Sequence, residues 1–312
     1  MILVTGAAGF IGFHVCKKLL DEGEVVIGVD NFNVYYSAKI KMDRANILKT
    51  YKNYKHINRN IAENGMAYND KVDYVIHLAA YAGIPYSLQF PYLYEQNNCT
   101  GTFNMLEYAR YHKVKNFVYA SSSSVYGNNE PPYIETMNVD NPLNMYAATK
   151  RYNEIQAYVY SMTYEIPCTG LRFFTVYGPW GRPDMSIYIW TDSLYNNKEL
   201  VINGFGKMCR NYTYVDDIVD GVLAAVHNPQ YAEIYNLGSE EVIQIDYVVE
   251  RLEEITGIQG NKKYVDFPPG EIASAGVNIE KAKNDLYFHP YTDFNDGLDK
   301  FVEWYKDYYK KE

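Results

Sequence analysis

A glycine-rich segment near the amino terminus constrains the fold more than any other part of the chain. Thr5–Gly12 reads T-G-A-A-G-F-I-G, and it lies between a short apolar run and a helical pattern. Glycines at this spacing permit a tight turn, let backbone N–H groups approach a pyrophosphate and allow a helix to pack closely on a strand. The segment therefore predicts a dinucleotide-binding α/β domain. The alternative is a structural glycine turn in an unrelated α/β protein.

Short runs rich in β-branched residues alternate with helical patterns along the first half of the chain. Buried runs separated by helices predict a parallel sheet covered on both faces. We therefore expect a Rossmann-type, doubly wound α/β sheet with a smaller α/β C-terminal lobe. The predicted strands are Ile2–Val4, Val25–Val29, Tyr74–His77, Asn116–Ser121, Cys168–Phe173 and Ile234–Leu237.

The second half of the chain predicts the smaller lobe. Proline and glycine interrupt the alternation after Phe174, so we expect the chain to cross between two domains more than once. The expected nucleotide-binding domain comprises residues 1–175 plus about 211–237, and the expected substrate lobe comprises 176–210 plus about 238–312. Predicted helices are Gly12–Asp21, Glu95–His112, Met145–Tyr164, Val215–Val226, Asp246–Thr256 and Phe294–Tyr308, with a turn at Pro268–Gly270.

Composition and charge exclude several classes of function. The chain has 312 residues, a formal net charge of −9 and no basic block, which argues against a nucleic-acid partner. Its four cysteines lie far apart, so we expect neither a disulfide framework nor a metal site. No apolar stretch of about 18 residues occurs, and the first apolar run leaves no room for a cleavable signal. These features predict a soluble, cytoplasmic protein without a membrane partner.

A tyrosine and a lysine stand four positions apart in the string M-Y-A-A-T-K, as Tyr146 and Lys150. On a helix, such side chains project from one face, one turn apart. If that face borders a cofactor cleft, the ammonium lowers the tyrosine pKa from about 10. The phenolate can then remove a proton from a sugar hydroxyl. Chance is the alternative explanation, because the chain contains 34 tyrosines.

Asp30 closes the second predicted strand, at the position where a carboxylate would accept hydrogen bonds from the adenosine ribose. A carboxylate repels a 2′-phosphate at this place. The sequence therefore predicts NAD rather than NADP as the cofactor.

Further motifs follow along the chain, and their order is informative. They are H-L-A-A at His77–Ala80, N-x-x-G-T at Asn98–Thr102, S-S-S-S-V-Y-G at Ser121–Gly127, L-R-F-F-T-V-Y-G-P-W-G-R-P-D-M at Leu171–Met185 and R-N-Y-T-Y-V-D-D at Arg210–Asp217. Together with the glycine segment and the Tyr146/Lys150 pair, these motifs resemble the extended short-chain dehydrogenase/reductase family, and within it the NAD-dependent nucleotide-sugar epimerases. The motif at Leu171–Met185 most resembles UDP-glucuronate 4-epimerases.

The resemblance implies both a reaction and a set of site residues. Bound NAD would oxidise C4 of the sugar and return the hydride to the opposite face, converting UDP-glucuronate to UDP-galacturonate. Tyr146, Lys150 and Ser122 would be the catalytic residues. The implied substrate contacts are Ser122, Ser123, Ser124, Tyr146, Thr175, Arg182 and Arg210. The implied NAD contacts are Gly6, Gly9, Phe10, Ile11, Gly12, Asp30, Asn31, Asn33, Asn60, Ile61, Leu78, Ala79, Ala80, Asn98, Tyr146 and Lys150.

Departures from the uronate-enzyme pattern keep alternatives open. Those relatives commonly have Q-A-G-V-R where this chain has Y-A-G-I-P at Tyr81–Pro85, and an aspartate in place of Asn60. The segment Asn60–Asp73 is also shorter than usual, which suggests a trimmed helix. A neutral UDP-hexose or UDP-N-acetylhexosamine 4-epimerase and a UDP-glucuronate decarboxylase both stay open. A 4,6-dehydratase is disfavoured, because serines 122–124 replace its acidic motif.

The resemblance also implies a homodimer. In relatives, the helices equivalent to Glu95–His112 and Met145–Tyr164 pair across a twofold axis. Here the second helix carries an apolar stripe that fits such pairing, although core packing within one chain explains it equally well. The stripe consists of Ile155, Tyr158, Val159 and Met162.

Overall fold

The structure, a computed structural model, describes residues 1–63, 71–267 and 275–311. Its strands are β1 (Ile2–Thr5), β2 (Val26–Asp30), β3 (Tyr54–Asn58), β4 (Tyr74–His77), β5 (Asn116–Ser122), β6 (Cys168–Phe173), β7 (Thr175–Tyr177), β8 (Glu199–Ile202), β9 (Cys209–Arg210), β10 (Tyr212–Tyr214), β11 (Glu233–Leu237), β12 (Ile243–Gln244) and β13 (Asn261–Tyr264). Seven of them form a parallel sheet in the order β11-β6-β5-β4-β1-β2-β3. The remaining strands pair two by two outside this sheet.

The helices connect the strands and cover the sheet. They are α1 (Phe10–Asp21), α2 (Ala38–Leu48), α3 (Ile84–Gln89), α4 (Pro91–Tyr94), α5 (Gly101–His112), α6 (Met145–Tyr164), α7 (Ser186–Tyr195), α8 (Val215–His227), α9 (Ile245–Thr256), α10 (Glu280–Leu286) and α11 (Phe294–Tyr309). A π-helical turn at Glu95–Thr100 runs directly into α5.

Buried apolar side chains lie on both faces of the central sheet. One cluster joins β1 and β6 to α1 and α8, and another joins β4 and β5 to α5 and α6. Crossover helices on both faces are what consecutive parallel strands require. The predicted doubly wound α/β fold is therefore confirmed. A further cluster packs α7, α9 and α11 around β8, and we keep the predicted two-lobe division as a proposal.

The predicted strands and helices agree with the structure to within a residue or two, with one exception. The helix expected over Glu95–His112 begins with the π-helical turn instead of a regular α-helix. The sequence analysis missed the strands β3, β7, β8, β9, β10, β12 and β13 and the helices α2, α3, α4, α7 and α10. The expected turn at Pro268–Gly270 lies outside the described residues, and the shortened segment Asn60–Asp73 lies only partly within them.

Candidate active site

A cavity of about 910 Å³ runs along the carboxyl ends of the central strands. Its wall includes Asp30 at the end of β2, Ser122 at the end of β5 and Thr175 after β6. Parallel sheets bind ligands in this place, because the strand ends and the N-termini of the following helices meet there. The position of the cavity therefore follows directly from the topology.

The glycine segment forms the tight turn between β1 and α1. Gly9 N donates to Gly6 O over 2.8 Å, and Gly6 has a φ of +71°. A Cβ at Gly12 would lie 2.0 Å from Gly6 O, and a Cβ at Gly6 would lie 2.8 Å from Ala79 N. Only glycine fits these positions, and the N-terminus of α1 opens onto the cavity as a site for an anionic diphosphate.

Asp30, the predicted ribose contact, is held in place by backbone hydrogen bonds. Its carboxylate accepts from Ala8 N over 3.0 Å and from Phe32 N over 2.9 Å. The neighbouring Asn33 accepts from Lys41 Nζ through both its backbone oxygen and Oδ1, each over 2.7 Å. Burial lowers the Lys41 pKa to about 8. The glycine turn and this carboxylate fit NAD.

The three predicted catalytic side chains come together on one wall of the cavity. Tyr146 and Lys150 lie in the first turns of α6, which begins where the Asn144 side chain accepts from Ala147 N over 2.9 Å. Ser122 lies at the end of β5, close enough to Tyr146 to favour a lower pKa of the phenol. This arrangement brings a hydroxyl and a phenol to one place in the cavity.

The predicted lowering of the Tyr146 pKa is wrong for this structure. Burial raises the Tyr146 pKa, and the neighbouring Ser122 hydroxyl only partly opposes this. Lys150 Nζ donates to Ala120 O over 2.8 Å, and burial lowers the Lys150 pKa to about 8. The Lys150 ammonium therefore already donates a hydrogen bond to a backbone carbonyl.

The predicted substrate residues also line the cavity, namely Ser122, Ser123, Ser124, Thr175, Arg182 and Arg210. Arg182 is paired within the wall: its Nε and Nη2 donate to the two carboxylate oxygens of Asp184 over 3.0 and 2.5 Å. The side chains of Arg182 and Asp184 are only 22% and 25% exposed. An anion entering the cavity would meet a guanidinium that already has a partner.

Two predicted NAD contacts do not lie on the cavity wall. Asn60 Oδ1 accepts from Ala62 N over 3.0 Å, which closes a local turn. Asn98 exchanges hydrogen bonds with both backbone groups of Tyr81, over 2.8 and 2.9 Å, and donates to Thr149 Oγ1 over 3.0 Å. Asn98 therefore has a structural role outside the cavity wall, because it holds the loop after β4 against α6.

Several wall residues were missed by the sequence analysis. They are Tyr35, Tyr36, Lys41, Tyr86, Asp184 and Trp190, among others. Tyr35 lies between β2 and α2, and Lys41 lies in the first turn of α2; no motif marks either residue, and only the fold brings them to the cavity. Asp184 lies within the motif Leu171–Met185, so its place near Arg182 was the one signal available.

The fold and the site together define a dinucleotide-binding α/β protein whose Tyr–Lys helix borders the cofactor cleft. The chain belongs to the NAD dependent epimerase/dehydratase family, whose model matches residues 2–238. The predicted family is thereby confirmed. None of the helices in the described part of the chain has the length and apolarity needed to span a bilayer.

The chain is similar to named UDP-glucuronate and UDP-glucose 4-epimerases. The chain is 40% identical to UDP-glucuronate 4-epimerase of Thermodesulfobacterium geofontis, over 98% of this chain and 96% of that protein. It also matches the crystal structure of UDP-glucuronic acid 4-epimerase from Bacillus cereus in complex with UDP-glucuronic acid and NAD, with a TM-score of 0.92, 33% identity and 99% coverage of both chains. UDP-glucose 4-epimerase from Thermotoga maritima, solved with UDP-glucose, gives a TM-score of 0.87 at 29% identity and 99% coverage of both chains.

Proposed function

We propose that the protein catalyses the NAD-dependent epimerisation of UDP-glucuronate at C4. The observation that carries the proposal is the meeting of Ser122 and Tyr146 on the wall of a cavity that also contains the glycine turn and Asp30. The uronate epimerases among the relatives support the same substrate.

The chain's own residues supply proton transfer and orientation. NAD, when bound, supplies the acceptor and donor of hydride at C4. Tyr146 takes the proton of the C4 hydroxyl at its phenolic oxygen, and Ser122 holds the same sugar oxygen by a hydrogen bond. We assign the Lys150 ammonium to stabilising the phenolate as the proton leaves, against the burial that raises the Tyr146 pKa. Because the proton and the hydride both return to the sugar, the reaction produces no net redox change.

A uronate also requires control of its carboxylate. The 4-keto form is a β-keto acid, which loses CO₂ when its carboxyl bond aligns with the ketone π system. Ser123, Ser124 and Thr175 lie on the cavity wall, and their hydroxyls can hold a carboxylate by directional hydrogen bonds without protonating it. We assign these three residues to keeping the carboxylate out of that alignment.

A neutral-sugar 4-epimerase is the second candidate. The observation that favours it is Pro85, which lies on the cavity wall at the position where uronate enzymes commonly have arginine. A sugar without a carboxylate would not need that cation.

Turnover of three nucleotide sugars tests the proposal. The purified protein is incubated separately with UDP-glucuronate, UDP-galactose and UDP-N-acetylglucosamine, and the products are identified by NMR and by mass. We expect UDP-galacturonate from the first substrate. Conversion of the neutral sugars alone would favour the second candidate, and a UDP-pentose formed with loss of CO₂ would establish a decarboxylase.

Tyr146→Phe provides the test of mechanism. We expect it to abolish conversion while bound NAD and thermal stability stay near those of the unchanged protein, because one hydroxyl is lost. Tyr164→Phe, at the exposed end of the same helix, is the matched control and should keep full activity. Turnover retained by Tyr146→Phe would remove Tyr146 from its assigned role.

We also propose that the protein forms a homodimer through α6. The stripe residues Ile155, Tyr158, Val159 and Met162 are 45, 57, 49 and 59% exposed, so they do not pack in the core of their own chain. An apolar stripe left at the surface of a helix favours a partner helix. Light scattering should give the mass of a dimer, and Val159→Glu should give that of a monomer. The cytoplasmic location stays a prediction from the cysteine usage.

A further inference from the structure

Three polar side chains form a cluster on the cavity wall that the proposed mechanism does not use. Tyr35 comes from the segment between β2 and α2, whereas Asp184 and Arg182 come from the segment between β7 and α7. The cluster therefore joins two distant parts of the sequence at the cavity. We call it the Tyr35–Asp184–Arg182 cluster.

Asp184 is the common hydrogen-bond acceptor at the centre of the cluster. Tyr35 OH donates to Asp184 Oδ2 over 2.7 Å, and Arg182 donates to both carboxylate oxygens. The Arg182 guanidinium also lies 5.9 Å from the centre of the Tyr35 ring. Gly83, with a φ of +93°, makes room for the cluster, since a Cβ there would lie 2.2 Å from the Tyr35 hydroxyl oxygen.

Charge holds the cluster in one ionisation state. Burial disfavours the Asp184 carboxylate, but the charge and hydrogen bonds of Arg182 outweigh burial and lower the Asp184 pKa. Both charges act on Tyr146: Arg182 lowers its pKa and Asp184 raises it. The cluster is therefore close enough to the predicted proton acceptor to influence the sugar end of the cavity.

The cluster is also tied to the cofactor side of the cavity. Consecutive side-chain-to-backbone hydrogen bonds join Asp30 to Phe32, Asn31 to Asn33, and Asn33 to Tyr35. Lys41 then fixes Asn33. The position of the Tyr35 ring is thus set by the same short segment that carries the predicted ribose contacts.

We propose that Tyr35 and Asp184 are positioning residues that hold the Arg182 guanidinium toward an anionic oxygen of the nucleotide sugar. The proposal deepens the proposed function, on which it rests for the identity of the substrate. Arg182 and Pro85 both line the cavity, and Pro85 is the position at which the uronate relatives commonly carry an arginine.

Arg182 suits this role because some of its N–H groups are not bonded to Asp184. A guanidinium carries five N–H groups in a rigid fork. Asp184 accepts from Nε and Nη2, which leaves the Nη1 edge for an anion in the cavity. The Asp184 carboxylate offsets much of the positive charge of Arg182. It therefore weakens the attraction of Arg182 for an anion, but it fixes the direction of the guanidinium.

This balance gives a signature that simple structural damage would not produce. In Asp184→Asn the uncompensated Arg182 attracts the anionic substrate at least as well as before, but it no longer has one direction. We expect kcat with UDP-glucuronate to fall about tenfold or more while KM does not rise. Tyr35→Phe, which keeps the ion pair, should lower kcat by a smaller factor, roughly twofold to fivefold. A raised KM with unchanged kcat, or no change in either constant, would overturn the assignment.

Binding measurements keep the test independent of turnover. The double variant Arg182→Met with Asp184→Asn removes both charges, so that no buried carboxylate is left without its partner. Calorimetry then gives Kd for UDP, UDP-glucose and UDP-glucuronate. We expect affinity to fall about tenfold or more for all three ligands if the anionic oxygen belongs to the diphosphate, and for UDP-glucuronate alone if it belongs to the sugar carboxylate. Unchanged affinity for all three would overturn the proposal. If the unchanged protein binds these ligands without epimerising them, the proposed function fails while this proposal is still tested.

A matched pair outside the cavity wall controls for the loss of a tyrosine–aspartate hydrogen bond. Tyr305 OH donates to Asp192 Oδ1 over 2.8 Å, and neither residue lines the cavity. Tyr305→Phe and Asp192→Asn should leave kcat and all three Kd values unchanged. Bound NAD and thermal stability, measured for every variant, should stay close to those of the unchanged protein in Tyr35→Phe, because Asp30 and the glycine turn are untouched.

Discussion

Glu154 offers the sharpest test of how the Tyr146 helix is fixed to the sheet. Its carboxylate lies on α6, accepts from Arg172 Nε over 2.8 Å and Nη2 over 3.0 Å, and accepts from Ser121 Oγ over 2.6 Å. The Glu154 and Arg172 side chains are 0 and 2% exposed. Glu154→Gln keeps the shape of the side chain but removes the charge that balances the buried guanidinium.

The expected cost follows from this burial. Removal of one partner from a buried ion pair destabilises a protein by about 3–5 kcal/mol, because the remaining charge is left without compensation. For a chain of this size, that corresponds to a fall in Tm of roughly 5–8 °C. We expect kcat to fall as well, because α6 carries Tyr146 and Lys150.

Thermal unfolding at one saturating NAD concentration measures the effect. Glu107→Gln is the control, because Glu107 forms the same two-bond contact with Arg110 at the surface, over 3.0 and 2.6 Å, with the side chains of Arg110 and Glu107 46 and 35% exposed. Its cost should stay below about 1 kcal/mol. The double variant Glu154→Leu with Arg172→Met should be more stable than Glu154→Gln. A cost for Glu154→Gln as small as that of Glu107→Gln would refute the reasoning.

Three further predictions follow from the site. Epimerase activity should decline about tenfold per pH unit above pH 8, because Lys150 loses its proton as the pH rises through its lowered pKa, and a pH–rate profile would show this. Gly12→Ala should abolish NAD binding, measured by calorimetry, because its Cβ overlaps Gly6 O; Gly257→Ala, which meets nothing within 4 Å, should cost only about 1–2 kcal/mol of backbone strain and retain NAD. Asp30→Ser should raise the affinity for NADP relative to NAD, because the repelling carboxylate is gone, and equal ratios in both proteins would contradict the assignment of Asp30.

The sequence predicted the elements whose signal is local. The glycine turn, the apolar strands of the sheet and α6 each carry their own pattern, so their existence and order agree with the structure. The segment carrying α2 and β3 mixes charged and tyrosine side chains, and its apolar face is buried only by tertiary packing. Such an element has no periodicity of its own to recognise.

The site shows the same division. Tyr146, Lys150 and Ser122 lie in motifs, and the structure brings them together. Tyr35 reaches the cavity only because β2 ends there, and no spacing links it to Asp184. The predicted direction of the Tyr146 pKa shift was wrong, because spacing gives the proximity of an ammonium but not the degree of burial.

The position of β11 has a consequence for synthesis of the chain. This strand occupies one edge of the sheet and pairs only with β6 among the described strands, although the whole segment from β7 through α8 is made between them. As the polypeptide leaves the ribosome, the backbone donors and acceptors on one edge of β6 stay unpaired until β11 has been synthesised. We expect a nascent chain that stops before Glu233 to depend on chaperones, and completion of β11 to end that dependence.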